Sequence, residues 1–133
     1  MYVALALATR RARLQQLALA IDAAATPGRC LLYAGAIPQP GQPPAGELQC
    51  AITLAQPCAQ LHASDALLVF TAGVEGLRTD DETITFARFV DGDGTFVFDA
   101  DVSLVGGDGA VQISNVNGVV GAFVRIESGV IGE

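Results

Sequence analysis

Along the first quarter of the chain, apolar residues recur at helical spacing; from residue 29 onward they recur at a spacing of two. Leu14, Leu17, Ala18, Ile21 and the Ala24-Ala25 pair form one stripe, which predicts a helix over Thr9–Ala25. Thr9 has the side chain of an N-cap, and Pro27-Gly28 is a firm stop signal. Arg10, Arg11, Arg13, Gln15 and Gln16 occupy the other faces. The stripe is narrow and rich in alanine, so the helix is expected to pack closely on its own sheet or on a symmetry mate.

The remainder reads as strand and turn. Cys30-Leu31-Leu32-Tyr33 is a short apolar run closed by Gly35. The segment from Ile37 through Pro38, Pro40, Pro43 and Pro44 cannot be a central strand, because proline offers no ladder donor. It is expected to be an extended surface loop able to clasp a neighbour. Leu48, Cys50, Ile52 and Leu54 alternate as a half-buried strand should, and Ala66–Phe70 is an apolar run. Ile84, Phe86 and Phe89-Val90 lead into Asp91-Gly92-Asp93-Gly94, after which Phe96 and Phe98 alternate with polar or smaller residues. Asp-Gly between two such runs predicts a hairpin, since glycine accepts the positive φ of the turn. Further turns at Gly106-Gly107-Asp108-Gly109 and Asn117-Gly118 set off strands near Val111–Ile113 and within Val119–Ile131. The predicted fold is mainly β: a β-sandwich-like domain of seven or eight short antiparallel strands over residues 29–133, preceded by a helical arm over 1–28. Ile84, Phe86, Phe96, Phe98, Val102 and Val124 are expected in the core, with the Asp91–Gly94 turn exposed.

Composition changes that picture in one respect. Of 133 residues, 51% are hydrophobic and only 16% charged. A soluble domain ordinarily carries about 25% charged residues. This chain has too few charges to cover its surface conventionally, so burial in an assembly is expected. The charge is also divided. Residues 1–29 carry four arginines against Asp22, a net of 4 − 1 = +3, and residues 30–133 carry three arginines against thirteen acids, a net of −10. An acidic body argues against nucleic acid as a partner, since phosphate contacts need clustered lysine or arginine. The apolar start lacks a leading positive charge and falls short of a membrane span, so neither a targeting segment nor a membrane partner is expected.

Candidate chemistry is thin. Cys30, Cys50 and Cys58 form no paired motif and read as buried thiols of a reducing compartment. His62, four residues from Cys58, lacks further partners for a metal. Asp91-Gly92-Asp93-Gly94 resembles a calcium loop, but Gly94 stands fourth rather than sixth and the twelfth position is Val102, not glutamate. Thr79-Asp80-Asp81-Glu82 reads as a solvated turn, because adjacent carboxylates do not face each other across a substrate. No serine sits in a nucleophile elbow, and no phosphate loop or dinucleotide fingerprint occurs. No catalytic residue, metal or cofactor is expected.

The order of these segments is similar to that of a family of small structural proteins encoded by tailed bacteriophages. The resemblance is carried by five segments. These are the helix Arg10-Arg11-Ala12-Arg13-Leu14 through Ile21-Asp22-Ala23, the strand and proline loop Leu31-Leu32-Tyr33-Ala34-Gly35-Ala36-Ile37-Pro38, the aliphatic strand Leu48–Leu54, the hairpin Phe86-Ala87-Arg88-Phe89-Val90-Asp91-Gly92-Asp93-Gly94 continued through Asp99-Ala100-Asp101-Val102, and a closing strand after a glycine turn, Val119–Val130. The region from Gln56 to Asp81 matches poorly, and Ala100 stands where glycine is frequent in that family. The resemblance implies a non-enzymatic virion protein, assembled in the host bacterial cytoplasm, whose partners are other virion proteins and further copies of itself. The expected placement is the tail, as a baseplate or fibre adaptor; a capsid decoration or cement protein is the alternative, and a host-surface glycan-binding module a third. Candidate interface residues are Arg10, Arg11, Arg13, Leu14, Leu17 and Ile21 on the helix and Pro38, Pro40, Pro43 and Pro44 on the loop.

Overall fold

The computed structural model describes residues 3–132; Met1, Tyr2 and Glu133, and with them the outer limits of the expected arm and domain, lie outside. Among the described residues the order is α1 (Leu7–Ile21), β1 (Arg29–Tyr33), β2 (Leu48–Thr53), β3 (Ala59–Leu61), β4 (Leu67–Phe70), β5 (Glu75–Leu77), β6 (Phe86–Val90), β7 (Phe96–Leu104), β8 (Val111–Ile113) and β9 (Phe123–Gly132). The protein is mainly β with one N-terminal helix, as the patterning predicts.

The strands form one mixed sheet in the order β2-β1-β6-β7-β8-β9-β4-β3, with β5 also paired to β9. The ten-residue β9 is shared: β8 lies along one edge, while β5 and β4 lie end to end along the other. A single bridge between Cys50 and Arg78 brings the β5 end against β2. The sheet therefore curls until its first strand meets its far side. Inside the curl one core forms from Cys30, Leu32, Ile52, Leu68, Phe70, Ala87, Phe89, Val111, Ile113, Val124 and Ile126, among others.

Neighbouring strands run antiparallel except β7 and β8, which run parallel. Parallel neighbours usually need a crossover of a dozen residues or more. Here Val105–Ala110 returns the chain in six, by folding tightly back onto β7. A Cβ on Gly107 would stand 2.6 Å from Ser103 Oγ, and one on Gly109 would stand 2.5 Å from Ser103 N. Only glycine permits that approach. The Gly106–Gly109 turn is thus a return loop, not the hairpin that an all-antiparallel fold requires.

The helix begins and ends earlier than its stripe predicts. Ala6 is the N-cap, without a side-chain cap bond, and Thr9 lies within the first turn. Alanine and leucine extend a helix at little cost, which outweighs the cap preference of Thr9. At the other end Asp22 leaves the helix, and its carboxylate accepts from Cys58 N at 3.1 Å. Leu14, Ala18 and Ile21 are buried in the same core as the sheet, and Leu17 is half-buried against it. The helix packs on β3, β4 and β7 of its own chain. Leu14, Leu17 and Ile21, expected to face another subunit, are therefore occupied internally.

One local irregularity redirects two phenylalanines. β6 and β7 keep register at Phe89–Phe98 but shift before Val90–Phe96, which inserts an extra residue into β7. Such a bulge breaks the alternation of faces. Phe98 stacks on Phe89 on the core side, 4.6 Å between ring centroids, whereas Phe96 lies under the Arg88 guanidinium, 4.8 Å from its carbon, on the outer face. The sequence periodicity puts both on one face, and both are half-buried; so is Val102, while Ile84, Phe86 and Val124 are buried as expected. At the hairpin tip Asp91 and Gly92 are half-buried, whereas Asp93 and Gly94 are exposed.

Because Ile21 is fully buried, truncation to alanine is expected to cost about 2–5 kcal/mol of folding stability. Urea denaturation of Ile21→Ala measures this; an unchanged midpoint would mean that the helix does not belong to the core.

Candidate functional site

The outer face of β1, β6 and β7 carries a small polar-aromatic cluster. Tyr33 stacks on Phe86, with centroids 5.4 Å apart. Beside them Arg88 Nε donates to Asp99 Oδ1 at 2.8 Å and Nη2 to Asp99 Oδ2 at 3.0 Å, a two-pronged pair whose side chains are almost excluded from solvent. These bonds hold the guanidinium more firmly protonated than usual. Arg88 Nη2 also donates to Gln42 O at 2.8 Å and so ties down the proline loop.

That loop clasps its own hairpin. Ile37, Pro38 and Pro40 stand over Phe96 and Phe98, leaving a shallow hollow of about 260 Å³. A second hollow of about 470 Å³ adjoins it and shares Ile37, Phe98 and Asp99. Pro38 and Pro44 are half-buried, while Pro40 and Pro43 remain exposed. Of the helix arginines, Arg11 is committed internally: its Nη1 donates to the carbonyls of His62 and Asp65, both at 2.7 Å. Arg10 is half-buried and Arg13 exposed. The ten candidates thus do not converge on one surface.

Arg78 and Gln49 carry a role that the sequence pattern did not reveal. Arg78 is 1% exposed, its Nη2 donates to Glu82 O and Val116 O, and no acid pairs with it among the described residues. Its Nε and Nη1 have no hydrogen-bond partner there. The Arg78 backbone exchanges bonds with Ala122 and Gly121, so the loop before β9 wraps it. The buried Gln49 side chain accepts from Glu82 N at 2.8 Å and donates to Glu47 O and Asp80 Oδ2. Residues 79–82, expected as a solvated turn, are exposed except for the half-buried Asp80, and they are also latched to β2 by these bonds and by Thr79 N donating to Gln49 O. The only sequence signal was a charged residue just after a strand, which usually faces water.

Beside the latch, large apolar side chains are exposed. Leu77 and Phe123 are cross-strand partners on β5 and β9, exposed to 51% and 60%. Val119 and Val120, exposed to 69% and 64%, lie on the adjoining loop, where Ala122 N bonds back to Val119 O. Four large apolar side chains together on one exposed edge exceed the scattered singles normal on a surface.

The titratable groups show no such gathering. His62 Nδ1 accepts from the backbone N–H groups of Ser64 and Asp65, which defines it as a turn residue. Among the described residues no group of three or more His, Cys, Asp or Glu side chains is placed to hold a metal ion. All three cysteines are free and buried. Burial pushes the Cys50 thiol up to about 11 despite the opposing pull of Arg78, and burial with the Asp22 carboxylate pushes Cys58 up to about 12. Cys30 is raised further, again by burial. The chain matches no family model, no curated protein and no solved structure.

Two outcomes follow from this geometry. Asp99→Ala strands a buried guanidinium and is expected to cost about 3–5 kcal/mol, most of which an Arg88→Met/Asp99→Leu double variant recovers; denaturation curves of the three proteins decide it. Folded thiols with raised pKa values favour the folded state up to the unfolded thiol value, near 9. That contribution is lost as pH rises from there through about 11 to 12. A thiol reagent at pH 8 is expected to label none of the three cysteines until denaturant is added, and rapid labelling of the folded protein would contradict the burial.

Proposed function

We propose that this chain is a non-enzymatic structural protein of a bacteriophage virion, tail-associated as a baseplate or fibre adaptor, which mediates subunit assembly. The observation that carries the assembly role is the exposed edge of Leu77, Val119, Val120 and Phe123 on a domain whose core is otherwise closed. An exposed cluster of this kind marks a protein contact more often than a solvated surface. The low charge content supports it, because the chain lacks the polar residues to keep every face wet. The phage assignment rests on the order of helix, proline loop and Arg88-to-Asp101 hairpin in the sequence. Within that hairpin the fold gives Arg88, Asp99 and the Asp91 turn structural roles: Asp91 Oδ1 accepts from Asp93 N and Thr95 N and so shapes the tip.

Glycan recognition fits the geometry less well. Sugar sites lean on exposed aromatic faces, and among the described residues Phe86 and Phe89 are buried, while Phe96 lies beneath Arg88. Phe123 is the exposed exception, and its neighbours are aliphatic.

Phe123→Glu with Leu77→Glu is expected to weaken self-association or partner binding by about tenfold or more in dissociation constant. Sedimentation velocity reads this, with circular dichroism confirming the fold. Mass spectrometry of separated phage heads and tails tests the placement. The chain is expected in the tail fraction; recovery from heads alone would make it a capsid decoration protein, and its absence from both would end the virion assignment.

A further inference from the structure

We propose that the opening between β7 and β9 is a vacant strand position that receives residues 3–6 of a second copy of this chain. It deepens the assembly role proposed above and rests on that part of it alone.

The vacancy is visible in the pairing. On one edge β7 pairs with β6 over residues 96–101; on its other edge it pairs with β8 only over residues 102–104. Among the described residues, residues 96–101 therefore have no strand on that second edge. Across the opening, β9 pairs with β8 only as far as Gly129, and one further bond runs from Val130 N to Ala110 O. Ile131 and Gly132 pair with β4 on their far edge only. β8 itself is three residues long. Before it, Ala110 N is held by Asp101 Oδ1 at 2.9 Å, and at Gly109 the chain bends away onto Ser103. The line of β8 thus continues into empty space, and the 470 Å³ hollow lies there. One wall is Phe98–Asp101, the other Val130–Gly132, and Ala110 closes the end. Two strands flanking a missing third stand about 10 Å apart, room for one extended chain. Backbone groups along such an edge are the usual template for strand addition.

The chain also carries a segment suited to the position. Val3-Ala4-Leu5-Ala6 alternates large and small residues at a spacing of two, as a strand does. Among the described residues it pairs with no strand of its own sheet, Ala6 is extended (φ −60°, ψ 150°), and Val3 is 66% exposed. Its four residues match the four of the Phe98–Asp101 wall. Charge favours it over acidic segments: Asp99 and the exposed Asp101 line the opening, whereas no acid occurs in the sequence before Asp22. An acidic strand would be repelled at the same place.

The experiment uses the full chain with Ala4→Cys in one preparation and Asp101→Cys in another, the native thiols being buried. After mixing, a short bismaleimide is expected to link the two into a dimer joined at residues 4 and 101, identified by peptide mass. Deleting residues 3–6 is expected to weaken association by about tenfold or more. Linking within one chain of the double variant, or no linking while the protein still associates, would overturn strand exchange and leave the apolar edge and the virion role standing. A 4–101 link in a protein absent from purified particles would overturn the virion role and leave strand exchange standing.

Discussion

A single sheet must close on itself to make one core from so short a chain, and the contact that closes it is slight: the Cys50–Arg78 bridge. Everything inside the curl depends on that meeting of β5 with β2, because an open edge there would admit water beside Cys50, Ile52 and Val124. The chain secures the bridge with polar groups buried around it. Gln49 holds the segment after β5, Thr79 bonds back to β2, and the Arg78 guanidinium ties the carbonyls of Glu82 and Val116. Burying a cation with no acid beside it is costly. Its two carbonyl bonds offset part of that cost, and they draw the loop before β9 over the closure. The loop before β9 and the start of β9 itself present Val119, Val120 and Phe123 to solvent, so the internal latch and the proposed contact edge are two sides of one arrangement.

The outer face of the hairpin obeys a different constraint. A strand buried on both faces, as β6 is, needs a cover on its outer side. The proline loop provides it without requiring ladder donors, and the Arg88–Asp99 pair gives it a fixed anchor at Gln42. Because the bulge turns Phe96 outward beneath Arg88, the loop rests on an aromatic surface rather than on bare backbone. Beyond that cover, the short β8 leaves the sheet incomplete beside β9.

The mainly-β class, the single N-terminal helix, the alternating strands Leu48–Leu54 and Phe123–Glu127, and the Asp91–Gly94 hairpin were legible in the sequence, because each follows from local periodicity or local turn chemistry. Burial of Leu14, Ala18 and Ile21 was legible too, but whether they met the chain's own sheet or another copy was not, since a stripe records a face and never its partner. Three things only the tertiary structure decided. The bulge that parts Phe96 from Phe98 depends on the register of the opposing strand. The parallel course of β8 depends on the close approach of Gly107 and Gly109 to Ser103. The burial of Arg78 depends on loops distant in sequence, around Glu82 and Val116, folding over it, and a sequence pattern assigns a charged residue to water unless it knows what will cover it.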